Sequence, residues 1–471
     1  MASPAQTSPP ESLKATSSGV GSILKRAWSK SYVWVILIAT VVGGVWAEKI
    51  TWVPDYGKVT HVTYWEKWQD FERDAMMKVV DLYNSTEGKK KNIFVDFMPT
   101  ADIQDKTIVA TSGGTPPDIA GLEAVDVAAF ADNGAIVKLD DYCKKYGIKG
   151  EDYIPVYWNM SVYKNHIYSV PTTPVTTALH YNVADFKAAG LDPDKPPQTF
   201  DDMDAIADKL TIKDARDVYT HFGFIPADPG WWNWCWGYWF GGKLWDGKST
   251  ITCNSPENIR AFEWLASYSK KYGPTKMTSF KGSFQFSSPQ NPFIAGTEAM
   301  QLQGVWMYNF ITKYNPSLSW RAVPFPHPAD RPDLANATIA DCDNLVIPVG
   351  AKHPDAAFDF MAFVERQPNM EMLCLGQRKF SPLVKVSDEF YKNHPNPYIK
   401  FYIQEARSKN AFSAPQMAIW NEYNKDLGTA FDEVTSLHKT PKEALDDVQQ
   451  RTQQELDHYL MVDKARKEAG K

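Results

Sequence analysis

VTHVTYWEKWQDFERDAMMKVVDLYNST, residues 59–86, decides the fold class. VTHVTYW (Val59–Trp65) alternates and is β-branched, so it reads as a strand. The stretch after it places apolar residues at Phe71, Met76, Val79, Val80 and Tyr83, a helical spacing. The same grammar repeats downstream. NIFVDFMP is a second strand, and IQDKTIVATSGG a helix closed by glycine. PDIAGL is a third strand, followed by the helix VDVAAFADNG. Strands alternating with helices imply an α/β protein with a largely parallel sheet. Ligands of such sheets sit beyond the carboxyl ends of the strands. That rule points to Trp65, Glu66 and Lys67 after the first strand, and to Leu122 and Glu123 after the third.

Later segments add detail. IYSVPTTPVTTALHYN (Ile167–Asn182) carries two prolines between strand-like runs and reads as a bent connection. In TFDDMDAIADKL, Thr199 can cap the helix with Asp202 at its third position. SPENIRAFEWLASYSKKYG opens on Ser-Pro and ends on Gly273. HPDAAFDFMAFVE is an amphipathic helix, and the segment from Pro441 onward a long one. No repeat of 20–50 residues is evident.

The chain has 471 residues, room for two to four domains. At 44% apolar and 23% charged it has the balance of a globular protein with a sizeable core. The net charge of −6 gives no indication of nucleic-acid binding. Residues 1–30 form a Ser/Pro-rich tail ending in Lys25, Arg26 and Lys30. YVWVILIATVVGGVWA (Tyr32–Ala47) then carries no charge, so 31–47 reads as an export signal or a retained anchor, with 48–58 a linker. The basic flank should stay cytoplasmic and the body should be exported. The five cysteines include no C-x-x-C pair. Bridges Cys235–Cys253 and Cys342–Cys374, or buried free thiols, both fit.

Several motifs lose to simpler readings. GKLWDGKS (Gly242–Ser249) matches a phosphate-cradling loop, but that loop needs a strand before it and a helix after it. Asp246-Gly247 instead signals a tight turn. Nine histidines are scattered without H-E-x-x-H, so a metal site and a cofactor have no support. The pairs Asp140-Asp141, Asp201-Asp202 and Asp446-Asp447 read as caps or solvated faces. The sequons at Asn84, Asn159 and Asn336 are expected by chance in a chain of this length.

Four stretches carry a family resemblance: GGTPPDIA with FADNGAIVKLDDY, HYNVADFKAAGLDPDKPPQTFDDMDAIADKL, FIAGTEAMQLQGVWM, and SAPQMAIWNEY. From about Val59 to Ala469 the chain resembles the family-1 extracellular solute-binding proteins of ABC importers, the maltose-binding-like group. The resemblance implies a two-lobed, type II-like periplasmic-binding-protein fold, each lobe a sheet flanked by helices, with a hinge near Pro171–Pro174. The lobes would comprise 59–174 with 340–396, and 179–335 with 400–471. It implies a monomeric, non-enzymatic receptor that takes a carbohydrate between the lobes and delivers it to membrane permease subunits. Alternatives are an exported glycan-active hydrolase and a receptor for a non-sugar solute such as a polyamine or a phosphodiester.

Carried over by position, the resemblance puts Trp65, Glu66, Leu122, Glu123, Thr173 and Thr176 in the cleft from the first lobe. Trp306, Trp420, Asp343 and Arg378 join them, with the acidic Asp341 and Asp343 departing from the family's usual glycines. An indole face suits the apolar face of a pyranose, and carboxylates accept from hydroxyls. In WWNWCWGYWF (Trp231–Phe240), Asp228-Pro229 signals a helix start. Asp228, Trp231 and Trp232 are then expected at the ligand, and the later rings in the core.

Overall fold

The computed structural model describes residues 58–226, 232–283 and 288–468. The N-terminal tail, the 31–47 segment and nearly all of the linker fall outside them, as do Asp228, Pro229 and Trp231. Among the described residues no helix is long and apolar enough to cross a membrane.

Twelve strands are described, in chain order β1 (Thr60–Glu66), β2 (Ile93–Pro99), β3 (Ile119–Glu123), β4 (Val162–Tyr163), β5 (His166–Ile167), β6 (Val170–Asn182), β7 (Ile212–Lys213), β8 (Tyr219–His221), β9 (Met300–Gly304), β10 (Trp320–Val323), β11 (Thr338–Val346) and β12 (Ala411–Phe412). Eight form one sheet in the order β10-β6-β11-β3-β1-β2, with β12 beside β11 and β9 beside β6. β1 pairs in parallel with both β2 and β3, as the alternating grammar requires. β11 runs antiparallel between β3 and β6.

β6 and β11 organise the whole. Val170 of β6 and Leu345 of β11 belong to a core built with the helices Asp70–Ser85, Pro354–Val364 and Gln367–Gln377. Leu179 and Tyr181 of β6 and Ile339 of β11 belong to a second core, packed by the helices Pro256–Tyr272, Trp420–Thr435 and Pro441–Glu468. The expected bent connection at Pro171–Pro174 is therefore corrected. It is the first part of a continuous, fully buried thirteen-residue strand. The prolines are tolerated because the ladder slips there: Cys342 faces Pro174, yet Asn344 faces Pro171. A residue without an N–H costs least where pairing is already irregular.

Local signals behave as their chemistry dictates. Thr199 and Asp202 form the reciprocal capping box. Ser255 caps the helix Pro256–Tyr272, with proline at its first position. Asp246 turns the chain by accepting the N–H groups of Lys248, Ser249 and Thr250, so Gly242–Ser249 is a turn. All five cysteines are buried and free, so neither bridge forms.

The expected helix from Pro229 is not formed over its described part. Only Trp236–Trp239 is helical. A Cβ at Gly237 or Gly242 would overlap Asn258 of the neighbouring helix, so this backbone lies hard against that helix. Trp236 and Trp239 pack on Phe325, and Trp239 Nε1–H donates to the Ala337 carbonyl at 3.0 Å.

The first helix is fixed to the sheet by Asn84. Its amide donates to the Val95 carbonyl at 3.0 Å and accepts the Val95 N–H at 2.8 Å. β2 is the outer strand of the order, and these two bonds satisfy the Val95 groups on its free edge. A buried Asn84 so engaged cannot present its amide for glycosylation. Asn84→Leu should destabilise the protein by about 3 kcal/mol, because both Val95 groups lose their partners in a buried setting. The shift of the urea midpoint measures it; a change below about 0.5 kcal/mol would refute the edge role.

Candidate functional site

β1 delivers Glu66, Lys67 and Trp68 to the end of the sheet. The alternation of β1 turns Tyr64 and Glu66 inward and leaves Trp65 on the other face. Glu66 is fully buried; Tyr64 Oη–H donates to it at 2.7 Å and the Lys67 N–H at 2.9 Å. Glycine at 121 is required for this arrangement, since a Cβ there would overlap the Glu66 carboxylate. Burial pushes the Glu66 carboxyl up to about 7, against the pull of the Lys67 ammonium.

The centre of the charged part is Asp343. Lys67 Nζ lies 2.5 Å from Oδ1. Oδ2 accepts from Thr173 Oγ1 at 3.0 Å and Trp68 Nε1 at 3.3 Å, with Lys379 Nζ at 3.6 Å. Burial alone would raise the Asp343 carboxyl; Lys67 and Lys379 outweigh it and hold it at about 2. Both lysines are also shared: Lys67 Nζ is 3.5 Å from Glu123, and Lys379 Nζ is 3.0 Å from Glu72.

Beside this network lies a cavity of about 470 Å³. Its charged lining is Lys67, Glu72, Glu123, Asp341, Asp343 and Lys379. Its aromatic lining is Trp68, Trp232, Trp234, Trp306, Phe310 and Trp420. Trp306 follows β9 at the start of the helix Met307–Tyr314, and its ring lies over Gly304, where a Cβ would overlap it. Its Nε1–H donates to Gln303 at 3.1 Å. Trp232 and Trp306 stand 5.5 Å apart, centroid to centroid, at 48°. Trp234 and Trp420 meet edge to face at 5.6 Å. Among the described residues no group of His, Cys, Asp and Glu could hold a metal ion.

Of the residues expected from the sequence, the cavity brings together Glu123, Trp232, Trp306, Asp343 and Trp420. The other described ones stand elsewhere. Trp65 is on the face of β1 opposite Glu66 and is not part of the cavity lining. Glu66 lies beneath Lys67. Leu122 is a fully buried core residue beside Val127 and Val346. Thr173 stands behind Asp343 as its donor, and Thr176 donates to the Tyr402 carbonyl at 3.0 Å. Arg378 occupies the left-handed cap of the helix Gln367–Gln377 (φ 57°), which swings it over the Tyr308 ring at 5.6 Å. Its neighbour Lys379 enters the cavity instead. Asp228 and Trp231 lie outside the described residues.

Lys67 lines the cavity as the strand-end rule expects, whereas Trp68, Glu72, Trp234 and Lys379 line it without a signal in the sequence. Trp234 was expected in the core. In a helix, residues two apart point about 200° apart, so Trp232 and Trp234 could not share a cavity. The irregular backbone before Trp236 lets both do so.

A model of the bacterial extracellular solute-binding protein family matches residues 78–397, more than half of the chain. The sn-glycerol-3-phosphate-binding periplasmic protein UgpB of Escherichia coli (strain K12) is 29% identical over 180 residues, 35% of this chain. The match spans 39% of that relative's length. Among solved structures, CpMnBP1 with mannotriose bound superposes with a TM-score of 0.72 at 27% identity, covering 83% of this chain and 99% of the other. UgpB from Mycobacterium tuberculosis in complex with glycerophosphocholine has a TM-score of 0.69 at 19% identity, covering 85% and 99%, which shows a shared fold.

The linkage of Asp343 has a definite sign. Its folded pKa lies below its unfolded value near 4, so its contribution is complete above pH 4 and is lost as pH falls through about 2. Asp343→Asn should cost about 2–3 kcal/mol at pH 7, because Lys67 and Lys379 each lose one of their two carboxylate partners. Urea titrations at stepped pH should show the gap to the wild type closing between pH 4 and 2. A gap independent of pH would disprove the network's electrostatic role.

Proposed function

Because the chain belongs to the bacterial extracellular solute-binding protein family, we propose that it captures a sugar or short oligosaccharide between two lobes and delivers it to an ABC importer. One observation carries the reading: indoles of Trp232, Trp234, Trp306 and Trp420 line a single cavity whose carboxylates can accept from hydroxyls. A cavity of about 470 Å³ falls within the range of small-molecule sites. The likeness to CpMnBP1, solved with mannotriose and with mannobiose, supports an oligosaccharide.

A phosphate-bearing ligand is the second reading, favoured by the UgpB relative. It is weakened by the ion pairing of both cavity lysines with carboxylates. An anion would have to displace Asp343 or Glu72, or be buried against them. In this proposal 59–174 with 340–396 form one lobe and 179–335 with 400–471 the other, and the ligand closes them by binding the closed state better. The receptor acts as a monomer, without catalysis. It is exported across the cytoplasmic membrane, with 31–47 a cleaved signal or a tether to the outer face.

Calorimetric titration with mannobiose, mannotriose, maltose, glycerol-3-phosphate and glycerophosphocholine should give saturable binding of at least one saccharide and no product. Trp306→Ala and Trp232→Ala should each weaken that binding about tenfold or more, the loss of roughly 1.4 kcal/mol of stacking and apolar burial. Binding confined to the phosphate compounds would overturn the sugar reading, and product release would overturn the receptor.

A further inference from the structure

The charges lining the cavity do not balance. Asp343 of β11 faces Glu123 of β3 directly across the ladder. Like charges opposite each other are destabilising, and here Lys67 bridges them. Lys379 bridges Asp343 and Glu72 in the same way. Two ammonium groups are thereby consumed by three carboxylates.

A fourth carboxylate stands outside this exchange. Asp341 lies two residues before Asp343 on β11, and both line the cavity. β3 ends at Glu123, and the cross-strand neighbour of Asp341 is Val175 of β6. Among the described residues its carboxylate accepts the N–H of Cys342 at 2.8 Å and takes no ammonium or guanidinium. It nonetheless lines the cavity. Burial, with the Glu123 and Asp343 carboxylates near it, pushes this carboxyl up to about 8, although the more distant Lys67 ammonium pulls it the other way. The aromatic lining adds to the same preference, since a cation beside an indole face is attracted by its quadrupole. Trp232, Trp234, Trp306 and Trp420 all line this cavity.

Resting on the sugar-receptor reading, we propose that the saccharide carries a protonated amine, seated between Asp341, Glu123 and the tryptophans. The ammonium supplies the cation that the protein leaves out. A phosphorylated or carboxylated sugar meets excess negative charge instead. A neutral sugar fits the indoles but leaves Asp341 uncompensated.

Matched pairs test this by calorimetry at pH 7 and low salt: glucosamine with glucose, galactosamine with galactose, mannosamine with mannose, and the β-1,4 glucosamine disaccharide with its N-acetylated form. At least one amine should bind about tenfold more tightly than its partner, and moderate salt should narrow the ratio. Asp341→Asn should bring the ratio close to one. That substitution is nearly isosteric with the neutral acid, and Glu123→Gln, at a more exposed position, should reduce the ratio independently. Neutral members binding as tightly as the amines, or a ratio unmoved by both substitutions, would overturn the amine while leaving the sugar receptor standing. Failure of every saccharide here and among the neutral oligosaccharides would overturn both.

Discussion

Asp343 is held by four groups that arrive on three separate segments: Lys67 and Trp68 donate from the end of β1, Thr173 donates from the slipped part of β6, and Lys379 pairs from the turn after the helix Gln367–Gln377. Taking one carboxylate and two ammonium groups out of water costs several kcal/mol per ion. Such an arrangement persists only where the surrounding backbone over-determines it. The slip between β6 and β11 serves this end, because it brings the Thr172 hydroxyl to the Asp343 carbonyl at 2.7 Å while Thr173 reaches the carboxylate. The two strands shared between the cores thus also hold the charged part of the cavity.

The aromatic part is built on a different principle. Trp306 is positioned by space rather than charge, with Gly304 beneath its ring and Trp232 beside it. Trp420 is almost wholly buried, and Trp234 meets it edge to face. The same ten-residue stretch gives two rings to the cavity and sends Trp236 and Trp239 to the core, which only a break in helical geometry permits.

Much of the architecture was legible in periodicity. The strands β1 to β3 and the helices between them follow from alternation, 3.6-residue spacing and caps, because each depends on neighbours in sequence. The misplacements share a cause: they turn on contacts distant in sequence. Pro171 and Pro174 read as a bend because the slip in β11 that accommodates them lies some 170 residues away. Arg378, expected in the cleft from the resemblance, turns over the Tyr308 ring because its left-handed backbone is set by how the preceding helix ends. Trp65 and Glu66 are both expected at the ligand, although alternation along β1 puts them on opposite faces. Lys379 left no sequence signal, since a lone lysine acquires meaning only from the carboxylates folded against it.

The contrast between the two parts of the cavity has a consequence for recognition. Lys67 and Lys379 are already held by carboxylates, so their orientation requires no further loss of side-chain freedom when a ligand arrives. Their charge, however, is not available to a ligand anion, which would have to compete with carboxylates that are covalently part of the chain and therefore always present. On the proposed reading, discrimination against anions follows from carboxylates that already hold both lysines. Affinity would then draw mainly on the tryptophans, whose apolar area loses water on contact. Substitutions among the carboxylates should therefore alter ligand choice more than substitutions among the tryptophans, to the extent that the two sets do not share a contact with the ligand.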